Sequence, residues 1–187
     1  MQTTASRPLA VLPLLAAAGL LAACGSMQPS GSTFSQAALP APIQVPAGHE
    51  VALETVGIGE ITYECRDKAG MPGQTEWVFV GPKAVLNDRS GKAVGKYYGP
   101  PATWEANDGS KLTATQLAVA PSGATSLPYQ LVKANPAMGS GAMAGVTYIQ
   151  RVALTGGIAP ASPCTTALKG RQETVRYQAD YIFWKAA

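Results

Sequence analysis

From Thr174 to Trp184 every second residue is apolar. Val175, Tyr177, Ala179, Tyr181 and Phe183 alternate with Arg176, Gln178 and Asp180. Successive side chains of an extended chain point to opposite faces, so this period of two makes a half-buried strand, whereas a helix would scatter the same residues around its axis. Residues 60–66 repeat the pattern, with Ile61, Tyr63 and Cys65 against Thr62, Glu64 and Arg66. Residues 77–80 and 84–86 flank Gly81 and Pro82, which predicts one strand interrupted by a bulge or bend. The turn cluster at 87–91 leads into an extended stretch at 92–98 and predicts a hairpin, and Asn107, Asp108, Gly109 and Ser110 form a second turn. Further strands are expected at 112–119, 129–133 and 146–154, and no segment carries an amphipathic helix of three turns. The chain therefore reads as all-β, an antiparallel sandwich or barrel in a single domain.

The N-terminus has a different character. Residues 9–23 are rich in Leu and Ala and carry no charge, they follow a polar start containing Arg7, and Pro13 interrupts them. About 20 apolar residues are needed to span a bilayer, so the run predicts a secretory signal peptide over 1–23 rather than a permanent span. Its ending, Leu21, Ala22, Ala23 and Cys24, resembles a bacterial lipobox, which makes Cys24 the lipidated first residue of the mature chain. The chain is then expected to meet the membrane through that lipid. Gly25 replaces the Asp of an inner-membrane retention signal, so an outer-membrane lipoprotein facing the periplasm or the cell surface is expected. Residues 24–48, punctuated by Pro29, Pro40, Pro42 and Pro46, read as a flexible tether, and residues 49–187 as the β domain.

Composition narrows the function classes. The 187-residue chain has a formal charge of +3, with its charges scattered, which is no footprint for nucleic acid. With Cys24 assigned to lipid, Cys65 and Cys164 remain as an even pair outside the cytosol, and a disulfide is expected. Neither lies in a CxxC, and His49 is the one imidazole, so no metal site is expected. Residues 139–144 match GxGxxA but precede a β-branched alternating segment instead of a helix, so they read as a loop and no dinucleotide cofactor is expected. There is no GxSxG, and His49 stands at the tether boundary, which leaves nucleophilic catalysis without a base.

Two site chemistries remain. Glu64, Glu105, Asp108 and Asp180 are candidates for the paired carboxylates of glycan hydrolysis. Asp108 has a simpler reading as a turn residue, and Asp180 as the ion-pair partner of Arg151. The aromatic residues Trp77, Tyr97, Tyr98, Trp104, Tyr148 and Tyr177 are numerous enough to line a groove. Gly99, Pro100 and Pro101 make a stiff loop expected to present Trp104 to a ligand. Tyr98, Trp104, Glu105, Arg151 and Asp180 are accordingly the candidate ligand contacts, for a glycan or a small molecule.

Several short segments form a set: Tyr63-Glu64-Cys65-Arg66, the Trp77 strand ending at Gly81-Pro82, Tyr98-Gly99-Pro100 leading to Trp104-Glu105, and Asp108-Gly109-Ser110. Further on come Tyr148-Ile149-Gln150-Arg151, Gly156-Gly157 with Ala159, Pro160 and Cys164, and Tyr177 with Ala179-Asp180-Tyr181. Together they resemble one family, domain of unknown function 3455, of bacterial and fungal secreted proteins. The resemblance runs from about Pro46 to the C-terminus. It implies no established activity, and the family pattern places a His where this chain has Lys96. A malate dehydrogenase label carried by some fungal relatives fails here on the loop reading of 139–144. The expected function is a non-catalytic binding or structural module of the cell envelope, with a carboxylate-based glycan hydrolase as the alternative.

Overall fold

The computed structural model describes residues 1–2 and 34–187, so Cys24, the signal-like stretch and the first part of the expected tether lie outside the described residues. Eight strands follow one another: β1 (His49–Asp67), β2 (Thr75–Asn87), β3 (Ala93–Tyr98), β4 (Thr103–Ala106), β5 (Lys111–Ala120), β6 (Tyr129–Ala134), β7 (Val146–Gly156) and β8 (Gln172–Ala186). Each pairs antiparallel with the next, and β8 returns to β1, so the sheet closes into a barrel. The expected all-β antiparallel class holds, and closure removes the two free edges that an open meander would leave. The interrupted strand is also as expected. β2 is continuous through Gly81-Pro82, and its register against β1 slips there, with Thr62 opposite Gly81 and Tyr63 opposite Phe79.

Alternation decides what lies inside. Cross-strand pairing carries one inward row from Tyr177 through Gly59, Ala84, Tyr97 and Trp104 to Leu112. Small residues beside large ones let the rings interlock. Tyr97 stacks on Trp104 with centroids 4.6 Å apart, and Tyr181 meets both rings at 5.0 and 5.9 Å. Gly57 makes this possible, because a Cβ there would lie 2.5 Å from the Tyr181 ring.

The turns follow their sequence chemistry. Asp88 accepts hydrogen bonds from the Ser90 and Lys92 amides, and Gly91 takes φ 88°. Asp108 accepts from the Ser110 amide and hydroxyl and from the Ala142 amide, which ties the β4–β5 turn to the 135–145 loop. That loop contains the GxGxxA segment and leads into a strand, as expected. Cys65 and Cys164 are disulfide-bonded, joining the end of β1 to the β7–β8 connection.

Two expectations are corrected. Residues 34–48 are not a free spacer. A single 3-10 turn, Ala41–Ile43, lies on the outside of the barrel, where Ile43 is fully buried and Val45 nearly so against Leu131, Val152, Ile182 and Trp184. The outer face of β6–β8 is apolar at those positions and needs a cover. Gln150 fastens it: its amide donates to the Ile43 carbonyl at 2.6 Å and to Gln36 at 2.9 Å, and its carbonyl accepts from Trp184 Nε1 at 2.9 Å. Trp104 is likewise not on a presenting loop. It belongs to β4, faces inward and is 2% exposed, because its neighbours Thr103 and Glu105 take the outward positions of a short strand.

Candidate ligand-binding site

The outer face of β1–β3 carries a groove of about 900 Å³, lined by Ile58, Glu60, Pro82, Lys83, Val85, Lys96, Tyr98 and Pro100 among others. Two cross-strand rows build it. One runs Ile58, Val85, Lys96, Glu105, and the other Glu60, Lys83, Tyr98. Ile58 is 52% and Val85 47% exposed, although both occupy outward positions that a solvated sheet fills with polar residues. Charged groups border this apolar strip. Tyr98 donates its hydroxyl to Glu105 Oε2 at 2.7 Å, and Lys96 Nζ lies 3.0 Å from Glu105 Oε1 and 5.5 Å from the Tyr98 ring centroid. The Tyr98 hydrogen bond, followed by Lys96, holds the Glu105 carboxyl below its usual range, and the same bond pushes the Tyr98 phenol up. Glu105 is therefore an ionised acceptor that orients Tyr98, and it has no proton to deliver near neutral pH.

The other sequence candidates divide between the two faces. Asp180 pairs outward with Arg89 at 2.6 Å, and Arg89 also holds Glu54 at 2.8 Å. The expected pairing with Arg151 does not form. Arg151 stands opposite Tyr181 and Val152 opposite Asp180, so the two charges project from opposite faces of the sheet. Glu64 is paired with Arg66 at 2.8 Å. Among the aromatics expected to line a groove, Trp104 and Tyr177 are interior, Trp77 donates Nε1 to the Ser162 carbonyl, and Tyr98 lines the outer groove together with the buried Tyr97. His49 opens β1, its Nδ1 donating to the Pro46 carbonyl at 3.1 Å and its ring edge-on to Tyr148.

With that geometry in place, comparison with family models finds a match over residues 46–185, described as a protein of unknown function (DUF3455). The chain belongs to the DUF3455 family. No curated protein and no solved structure matches it. The matched span covers the barrel except Ala186, the last residue of β8, and both faces of the β1–β3 sheet lie inside the DUF3455 domain. Lys96 serves here as the ion-pair partner of Glu105.

Sequence reasoning missed Ile58, Lys83 and Val85 in this DUF3455 barrel, along with Arg89 as the partner of Asp180. The signal for Val85 was present: residues 84–86 are apolar at every position, so neither face of that stretch is a plain solvent face. Arg89 gave none, because it reaches two strands from a turn.

Proposed function

We propose that the protein is a lipid-anchored module of the cell envelope that binds a glycan in the outer groove of β1–β3 and performs no chemistry on it. One observation carries the reading: an apolar strip of Ile58 and Val85 lies exposed between an oriented tyrosine and a border of Lys83, Lys96, Glu60 and Glu105. Sugar rings present apolar C–H faces and a rim of hydroxyls, so a ring laid on Tyr98 and Val85 reaches charged acceptors and donors at its edge. The volume is in the range of ligand sites, roughly 300–1,000 Å³. The hydrolase alternative draws no support from its carboxylates. Glu105 and Asp180 both point outward from strands four apart in a ring of eight, so they leave the barrel in opposed directions. Glu54 and Asp180 are near each other but share Arg89.

Titration with soluble envelope oligosaccharides tests the groove. Tyr98→Ala and the pair Ile58→Asp with Val85→Asp are expected to weaken binding at least tenfold, while the melting temperature moves by about 2 °C or less, as for exposed positions. Unchanged affinity in both variants, or no oligosaccharide bound by wild type, overturns the reading. Anchoring is tested separately by palmitate labelling: Cys24→Ser is expected to lose the label, and equal labelling of both proteins ends that part.

A further inference from the structure

The barrel wall is incomplete on one side. β2 pairs with β3 only over Lys83–Asn87, and β5 pairs with β4 only over Lys111–Thr113, so residues 75–82 of β2 and 114–120 of β5 have no ladder partner facing each other above the short β3–β4 hairpin. Inward-facing side chains are exposed there. Phe79, opposite Tyr63 and edge-on to it, is 51% exposed, and Val119 is 48% exposed. Across the sheet, the pairs Val119 with Gln130, Gln130 with Arg151 and Arg151 with Tyr181 put all four side chains on the inner face.

Arg151 is the odd residue in this row. It is half-buried, and among the described residues it takes part in no ion pair and makes one hydrogen bond, from Nη2 to the Pro128 carbonyl at 3.0 Å. Its Nε is buried with no hydrogen-bond partner among the described residues, as is Nε1 of Trp104. Burial pushes the phenols of Tyr63, Tyr97, Tyr177 and Tyr181 up, and the Arg151 charge opposes the rise at all four, which puts this cation within electrostatic reach of every inner tyrosine. Immediately beyond it the backbone is irregular. The β7–β8 register shifts between Val152 and Thr155, and Ala153 takes φ 48°, a conformation costly for any residue with a Cβ. A cation partly withdrawn from water with no counter-charge beside it is costly, and an arginine fork is the side chain best shaped for a carboxylate.

We propose that the gap in the wall between β2 and β5 is a second binding site, distinct from the outer groove, which takes a small carboxylate with an apolar or aromatic body. The carboxylate pairs with Arg151, with Gln116 and Gln130 as amide neighbours. The body lies against Phe79 and Val119, whose exposure the missing strand partners create. The ligand thereby supplies both the absent counter-charge and the absent cover.

The matched probes 4-phenylbutyrate and 4-phenylbutyramide test this by calorimetric titration of the full chain. The acid is expected to bind at least tenfold more tightly than the amide. Arg151→Gln is expected to erase that difference, and Arg151→Lys to keep part of it. Gln130→Glu places a carboxylate directly opposite Arg151, at cross-strand distance, and is expected to abolish acid binding while sparing the amide, so the test does not depend on Arg151→Gln folding. Equal affinities for acid and amide in wild type, no binding of the acid, or acid binding unaltered in Gln130→Glu each overturn the proposal. Tyr98→Ala lies on the outer face and is expected to leave acid binding unchanged, so this site and the glycan groove fail or survive independently.

Discussion

Trp104 packs against both Tyr97 and Tyr181 in the interior of the barrel, so truncating it removes two ring contacts and leaves a hole that a closed sheet cannot collapse to fill. Trp104→Ala is expected to lose about 3–5 kcal/mol of stability in urea unfolding, the usual cost for a large buried ring. A loss under about 1 kcal/mol would return Trp104 to the surface role its proline-rich approach suggests. Gly57→Ala tests the same packing from the other wall. The added methyl meets the Tyr181 ring, and a loss of about 1–3 kcal/mol is expected. The inner tyrosines also set an alkaline limit. Burial raises the phenols of Tyr63, Tyr97, Tyr177 and Tyr181 above the unfolded value near 10, so the native state holds these protons more tightly than the unfolded chain. Stability from this source is fully present below pH ~10 and is lost as pH rises toward the folded values. Absorbance at the phenolate band is expected to show these four ionising together with loss of near-ultraviolet circular dichroism, and ionisation of all tyrosines before unfolding would contradict it.

At the scale of elements, the segment 34–45 is a strap whose contribution is burial of an outer apolar patch, and Gln150 is its fastener. Ile43→Asp places a carboxylate among the apolar side chains of Leu131, Ile182 and Trp184, and the strap is expected to detach. The readout is a red shift and increased quenching of Trp184 emission, with the far-ultraviolet spectrum of the barrel retained; an unshifted emission would show that Ile43 contributes nothing. The strap was illegible in the sequence because its apolar residues, Phe34, Leu39, Ile43 and Val45, follow no period. Their burial depends on an outer sheet face that forms only once β6, β7 and β8 are aligned. Strand β4 was missed for a related reason: four residues are too few to show alternation, and only its neighbours make it a strand. By contrast, Asn87–Gly91 and Asn107–Ser110 were readable as turns, since Asp88 holds Ser90 and Lys92 and Asp108 holds Ser110, all within two to four residues, although the further bond of Asp108 to the Ala142 amide was not.

For the whole molecule, the Cys65–Cys164 link closes a loop spanning strands β2 to β7, with a sequence separation of 99. A double Cys65→Ala, Cys164→Ala variant is expected to lose roughly 4–5 kcal/mol on chain-entropy grounds, seen as a lower urea midpoint, and an unchanged midpoint would mean the unfolded chain is already constrained. The strand pattern, the hairpin turns, the β2 bulge and the cysteine pairing were all decided locally or by counting, because a period of two, a turn residue and an even thiol pair act through neighbours in the chain. The sequence pointed to Tyr98, Glu105 and Arg151 as contacts but could not sort them onto faces, and it paired Asp180 with the wrong arginine. Both failures come from parity. A bulge or a one-residue shift exchanges the faces of everything beyond it, and only the closed sheet records those shifts. The tertiary structure alone decided that Trp104 is core, that Asp180 belongs to Arg89, and that Arg151 faces inward beside a gap in the wall. These outcomes depend on which strands are short, and strand length in a barrel is set by partners distant in sequence.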